Sequence, residues 1–415
     1  MTGCLIVTVG PGLLTAPADE PGHLVALALA REGIPVTSRQ VMETEEPAVE
    51  AAIRFGAAVH GLVVILTSFG ESGGEVVRRV LARVTGTRLI LNERLLAALE
   101  NAHARQDRPM PRRLDRLALL PQGAVFWPME QGEPGWLLET AEAAVVVLPQ
   151  ASPALADLVA LHLVPSARER LGGSGVVLLR TLRTVGCDLA AVEERLGDWL
   201  GRDGPVAVSC LPVRGEVWVR IRARGASRPV AEAGLAEAEA SLTDALGPDC
   251  YGRDHESLEA VIGRLLAEQR RTLAVAESCT GGLLGHRITN VPGSSAYFER
   301  GVVVYSNRAK EELLGVPREL LVAHGAVSAE VAEAMARGIC RRSGARLGLA
   351  ITGIAGPEGG TPSKPVGTVY IALATPEGVS GARFHFAGDR ESVKWESTQM
   401  ALDLLRRHLK RESRT

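Results

Sequence analysis

A chain of 415 residues is long enough for two to four domains at about 100–200 residues each. Its residues are 46% hydrophobic but only 4% aromatic, so small aliphatic side chains must fill the cores, and a formal net charge of −2 gives no general attraction to nucleic acid or an anionic membrane. The six cysteines (Cys4, Cys187, Cys210, Cys250, Cys279 and Cys340) include no Cys-x-x-Cys pair, which argues against zinc or a disulfide framework and fits a reducing compartment. The N-terminus enters the apolar run Leu5–Val9 with no basic segment or cleavage site, and no apolar run approaches the ~20 residues of a membrane helix. A cytoplasmic protein without membrane contact is expected.

In chain order, residues 5–170 alternate strand and helix. Leu5–Val9, Gly61–Thr67 and Ala144–Leu148 read as strands, and His23–Glu32, Ala48–Val59 and Gly74–Val84 as helices. Fully apolar strands between helices imply a parallel sheet covered on both faces. The Gly/Ser-rich loop Thr67–Gly74 follows a strand's carboxyl end, where such sheets bind ligands. Residues 105–135, rich in Arg and Pro, read as an irregular excursion. After a glycine-rich break at 171–175 come strands Val176–Arg180, Val206–Leu211 and Glu216–Arg224, with helices Asp188–Leu200 and 230–246, a compact α+β module. Glu216–Arg224 alternates apolar residues with Arg220, Arg222 and Arg224, which reads as a solvated sheet face; no Gly-x-x-Gly loop or aromatic stacking pair supports nucleic-acid binding. A hinge is expected at 247–256. Beyond it lie a helix at 257–270, the strand Thr272–Ala276, helix Leu283–Thr289, strand Gly301–Tyr305, helices Asn307–Leu314 and Ser328–Ser343, and strand Leu347–Thr352. The strand pair Thr368–Ala374 and Gly381–Phe386 and a helix over 389–410 complete the chain.

The chemistry gathers at strand ends in the last third. Ser278-Cys279-Thr280-Gly281-Gly282 follows a strand and opens a helix, so Ser278 offers a hydroxyl, and the amides after it offer donors for an oxyanion or phosphate. An ordinary helix N-cap is the competing reading of this serine. Lys310 or Tyr305 supplies the base a serine nucleophile needs, as serine–lysine pairs do without histidine when the lysine is desolvated. Cys279 ranks below Ser278 as a nucleophile because nothing beside it activates a thiol. Thr352 with Gly353, Ala355 and Gly356 forms a second polar loop, and Arg390 opens the last helix, where it can pair with phosphate bidentately.

These segments also carry a resemblance. Ala276–Gly282, Val291-Pro292-Gly293-Ser294-Ser295, Gly301–Asn307 with Lys310, Gly325-Ala326-Val327-Ser328, Ile351–Pro357, Lys364–Thr368 and Gly388-Asp389-Arg390 together are similar to the C-terminal domain of the CinA family of competence/damage-inducible proteins. The resemblance covers 257–407 almost continuously. It implies a cofactor-free, metal-free deamidase that hydrolyses nicotinamide mononucleotide to nicotinate mononucleotide and ammonia. Ser278 is then the nucleophile and Tyr305 and Lys310 its activating partners. Thr280, Gly281, Gly282, Thr352, Gly353, Ala355, Gly356 and Arg390 then bind substrate. Residues 1–172 resemble the family's α/β three-layer molybdopterin-binding-like domain, with degraded motifs. Gly10-Pro11-Gly12-Leu13-Leu14, Thr67–Glu75, Gln131–Gly135 and Leu148–Pro153 stand where acidic and glycine-rich loops would be. Asp19 and Glu75 are the nearest remaining carboxylates, so loss of the family's metal-dependent ADP-ribose pyrophosphatase activity is expected. Residues 173–254 resemble a KH-like α+β linker, and 255–415 form the α/β deamidase domain. The resemblance implies a homodimer, a small nucleotide as the partner, and no nucleic acid. Two other readings are a nucleotide-binding scaffold of competence or DNA-damage responses without turnover, and a residual ADP-ribose pyrophosphatase.

Overall fold

The computed structural model describes residues 3–15, 18–68, 72–105, 114–129, 133–150, 153–172 and 175–412. They form two compact units, Met1–Leu178 with Ala223–Gly234, and Leu179–Arg222 with Leu235–Thr415. Both are built on α/β logic.

In the first unit the strands are β1 (Cys4–Val9), β2 (Val36–Met42), β3 (Leu62–Thr67), β4 (Leu89–Leu91), β5 (Leu119–Pro121), β6 (Val125–Trp127), β7 (Gly135–Glu139) and β8 (Ala144–Pro149). Six of them make one sheet in the order β2-β1-β3-β8-β7-β6, parallel from β2 to β8 and antiparallel beyond; β4 and β5 pair separately. The helices are α1 (Glu20–Arg31), α2 (Glu46–Val59), α3 (Ser72–Thr85), α4 (Glu93–Arg105), α5 (Leu114–Leu117), α6 (Leu155–Leu158) and α7 (Val164–Leu171), with a π-helical turn at Val159–Leu163 between the last two. Side chains alternate along β1: Leu5, Val7 and Val9 join Ile53, Val77 and Leu81 in one core, while Cys4 and Ile6 join Val25, Leu29 and Leu158 in the other. That two-sided burial is why these strands are apolar throughout, as the sequence implied. The edge strand β2 escapes sequence reading because its only apolar residues are Val36, Val41 and Met42 and it is half-buried at best. The expected irregular excursion at 105–135 contains α5, β5 and β6, each of three or four residues; 106–113 and 130–132 lie outside the described residues, as do Phe69-Gly70-Glu71 and Ala151-Ser152.

The α+β module adds β9 (Val176–Val185), α8 (Leu189–Leu196), β10 (Val206–Val213), β11 (Glu216–Gly225), α9 (Arg228–Leu246) and β12 (Cys250–Arg253), with sheet order β10-β11-β9-β12. The expected hinge at 247–256 is instead an edge strand, with β12 antiparallel to β9. Its Tyr251 is buried in the core of the next domain, which anchors the segment. Along β11, Val217, Val219, Ile221 and Ala223 are buried and Arg220, Arg222 and Arg224 exposed, the alternation the sequence implies.

The C-terminal domain comprises α10 (Leu258–Glu268), β13 (Leu273–Glu277), α11 (Leu283–Thr289), β14 (Phe298–Val303), α12 (Asn307–Leu314), α13 (Arg318–His324), α14 (Ala329–Ser343), β15 (Leu347–Gly353), β16 (Thr368–Thr375), β17 (Gly378–His385) and α15 (Arg390–Glu412). Its sheet runs β14-β13-β15-β16-β17, with β13 parallel to both neighbours and β16 and β17 antiparallel. Leu273 and Val275 pack with Leu266, Leu284 and Leu402 on one face; Ala274 and Ala276 pack with Met335 and Ile339 on the other. Burying one such Leu or Ile contributes about 1.5–3 kcal/mol. β13 is thus central, buried on both faces, and its carboxyl end is fixed from four sides.

Candidate active site

Ser278 follows the last residue of β13, and its amide still bonds to Ile351 O of β15 at 3.0 Å. It is not a helix cap. The turn after it passes through Gly281 and Gly282, both with positive φ (62° and 97°), a backbone a side chain disfavours. The amides of Gly282, Leu284 and Gly285 are taken by the Glu277 carboxylate at 3.1, 3.0 and 2.8 Å. Glu277, 2% exposed, therefore caps α11 from within, a role the sequence reading missed. The signal was there: a carboxylate ending an apolar strand just before a Gly-Gly helix start. One expectation changes as a result. Those amides are not open to an incoming anion; the Cys279 and Thr280 amides, next to the serine, are the ones left without a protein acceptor among the described residues.

Lys310 reaches the serine from α12. Ser306 caps that helix by accepting from the Ala309 amide, and the next turn of it directs Lys310 inward. The ammonium nitrogen lies 3.1 Å from Ser278 Oγ, 2.8 Å from Val304 O and 3.5 Å from Tyr305 O, and the residue is 1% exposed. No carboxylate pairs with it among the described residues. Burial without a counter-ion holds its pKa below the ordinary 10.5. Its nitrogen donates to both carbonyls and to the serine oxygen, so the three contacts hold it at proton-transfer distance from the hydroxyl. Cys279 is unfit as the nucleophile, because burial pushes its thiol up to about 12.

The structure does not bring the Tyr305 phenol to the serine. Tyr305 is 59% exposed, and its hydroxyl accepts from Arg390 Nη2 at 2.8 Å. Arg390 also donates to Gly356 O at 2.7 Å, tying the start of α15 to the Thr352–Gly356 loop. Thr352 itself is buried and donates to Ala326 O at 2.8 Å, holding a neighbouring loop. Gly353 serves packing, since a Cβ there would meet Val369 Cγ2 at 2.7 Å, and Ala355 is part of the core. Thr280 is fully buried and its hydroxyl has no partner among the described residues. The arrangement can generate a serine alkoxide beside two free amides, with cations at the rim.

In the first unit a cavity of about 250 Å³ opens at the strands' carboxyl ends, lined by Thr8, Leu13, Leu14, Asp19, Val41 and Gln150 among others. Asp19 is occupied: it caps α1 through the Gly22 amide, accepts from Thr8 and pairs with Arg39 at 2.8 Å. Glu75 pairs with Arg79. Among the described residues no cluster of three His, Cys, Asp or Glu is placed to hold a metal ion.

Taken together, β13, α12 and α15 define an α/β domain carrying a serine–lysine pair at the end of a central parallel strand. A family model for the CinA C-terminal domain matches residues 255–409, and one for the damage-inducible protein CinA KH domain matches 179–252. A putative competence-damage inducible protein of Symbiobacterium thermophilum is 39% identical across 97% of this chain and 98% of its own length. A CinA-like protein of Geobacter metallireducens is 38% identical, again across 97% and 98%. A solved CinA superfamily protein from Klebsiella pneumoniae is 36% identical over 37% of this chain and 96% of its own, with a TM-score of 0.36. The chain belongs to the CinA family of competence- and damage-inducible proteins. Among the described residues no helix is long and apolar enough to cross a membrane.

Proposed function

We propose that the C-terminal domain is an amidohydrolase that converts nicotinamide mononucleotide to nicotinate mononucleotide and ammonia. The observation carrying this reading is the buried, acid-free Lys310 within 3.1 Å of Ser278 Oγ; the substrate is what the motif resemblance implies. Neutral Lys310 takes the hydroxyl proton as Oγ attacks the carboxamide carbon. The oxyanion is received by the Cys279 and Thr280 amides. As the tetrahedral species collapses, the C–N bond breaks and Lys310 returns its proton to the leaving nitrogen, releasing ammonia. Water then attacks the ester, giving its proton to Lys310, and the carboxylate product departs with Ser278 restored. Tyr305 and Arg390 act on the substrate side, and Thr280, Gly281, Gly282, Thr352, Gly353, Ala355 and Gly356 shape the pocket. The reading needs no cofactor. Ammonia release is measured on the full chain and on Ser278→Ala, where turnover is expected to fall at least about 10³-fold with an unchanged melting midpoint. Normal turnover in that variant would sink the assignment.

A further inference from the structure

The proposed substrate carries a phosphate, and the C-terminal domain offers several places for an anion. Most are already occupied. The N-terminus of α11 spends three amides on Glu277. Lys310 is enclosed against Ser278 and Val304 O. Lys364 donates to the carbonyls of His324 and Val327. The Cys279 and Thr280 amides flank the serine and are needed by the oxyanion.

Two cations remain. Arg390 and Lys394 sit one turn apart on α15, on one face of the helix. Arg390 donates to the Gly356 carbonyl and the Tyr305 hydroxyl. Lys394 is half-buried, and its nitrogen would stand 3.8 Å from a Cβ placed on Gly281, so it overhangs the Ser278 turn. Neither has a carboxylate partner among the described residues; Glu391 between them is turned to Arg214. Like charges at this spacing, at the positive end of a helix dipole, cost stability. Thr280, next to Gly281 in that turn, has a fully buried hydroxyl without a partner among the described residues. A local rule broken without internal compensation points to a ligand that supplies the compensation.

We propose that Lys394, with Arg390, seats the phosphate of the nucleotide, making Lys394 a specificity-determining residue that selects nucleotide over nucleoside. This rests on the amidohydrolase reading for the identity of the substrate, but the anion seat is testable without catalysis. Calorimetric binding of nicotinamide mononucleotide and of nicotinamide riboside is compared in full-length Ser278→Ala, alone and with Lys394→Gln or Lys394→Arg. Lys394→Gln is expected to cut the preference for the nucleotide at least tenfold, Lys394→Arg to restore most of it, and the ligand-free melting midpoint of Lys394→Gln to stay at or above that of its parent, since a repulsion has been removed. Equal weakening of both ligands, or no change in either, overturns the proposal. Phosphate-selective, Lys394-dependent binding in a protein whose wild type releases no ammonia upholds the anion seat and removes the deamidase reading. Ammonia release with the same KM for nucleotide and riboside does the reverse.

Discussion

The carboxyl ends of β1 and β13 pose the same problem and solve it differently. Each parallel strand runs into a turn whose following helix is capped by a carboxylate, Asp19 on α1 and Glu277 on α11. In the first unit that carboxylate is also matched by the Arg39 guanidinium, and Glu43 accepts from the amides of Gly12 and Leu14, so both carboxylates there have partners. In the C-terminal domain Glu277 accepts only amides, and Lys310, Arg390 and Lys394 stand without acids among the described residues. The proposed chemistry sits where the basic side chains have no acid partner among the described residues. Polar residues at strand ends are common to both regions and do not mark a site by themselves.

The largest test of this contrast is Lys310→Met. Ammonia release is expected to fall about 10³-fold, the scale of a lost general base. In the wild type kcat/KM should rise with pH and level off above a pKa lower than the ordinary 10.5. The sign for stability follows from the same shift. Between the lowered folded pKa and 10.5 the unfolded chain holds more protons, so stability rises with pH across that window. Lys310→Met should flatten the rise in denaturant unfolding measured from neutral to alkaline pH; an unchanged slope would show that the amine is not desolvated as described. Glu277→Ala comes next. Stripping three amides of their acceptor should cost about 3 kcal/mol in the transition of the second unit, with kcat falling further than KM rises. Retained stability would mean that the turn holds itself. Asp19→Ala is the smallest, at about 1 kcal/mol for a lost cap, visible in the unfolding of the first unit. Ammonia release should not change, and magnesium should elicit no AMP from ADP-ribose in either protein.

The local pattern carried much of this fold. Asn307–Leu314 is the helical span read from the sequence, and β13 and β15 were legible because both faces are buried. What failed was short or tertiary in origin. β12 has four residues, including a glycine, and owes its place to Tyr251 reaching a core distant in sequence. Within the site, Ser278 and Arg390 were readable as residue types near glycines, and Lys310 as a basic residue soon after a strand end. That Lys310 rather than the Tyr305 phenol faces the serine depends on α12's rotation after β14, which no spacing encodes. Lys394 hid inside an amphipathic helix, where a lysine is ordinary. Its meaning comes from the absence of a partner, and sequence does not show absences.

Glu216 carries a further consequence. Its two oxygens accept from Arg183, Trp218 and Tyr251 of the α+β module and from Gln399 of α15, and Gln399 in turn accepts from Arg287 of α11. Trp395 of α15 lies under the Arg287 guanidinium and donates to Arg214 O at the β10–β11 turn. Breaking the links to Glu216 or Arg287 leaves buried charge behind, so neither half opens at low cost while the other stays closed. In amide hydrogen exchange, β11, β12, α11 and α15 should therefore exchange as one cooperative block with one free energy of opening, although β12 and α11 fall in what the sequence presents as separate domains.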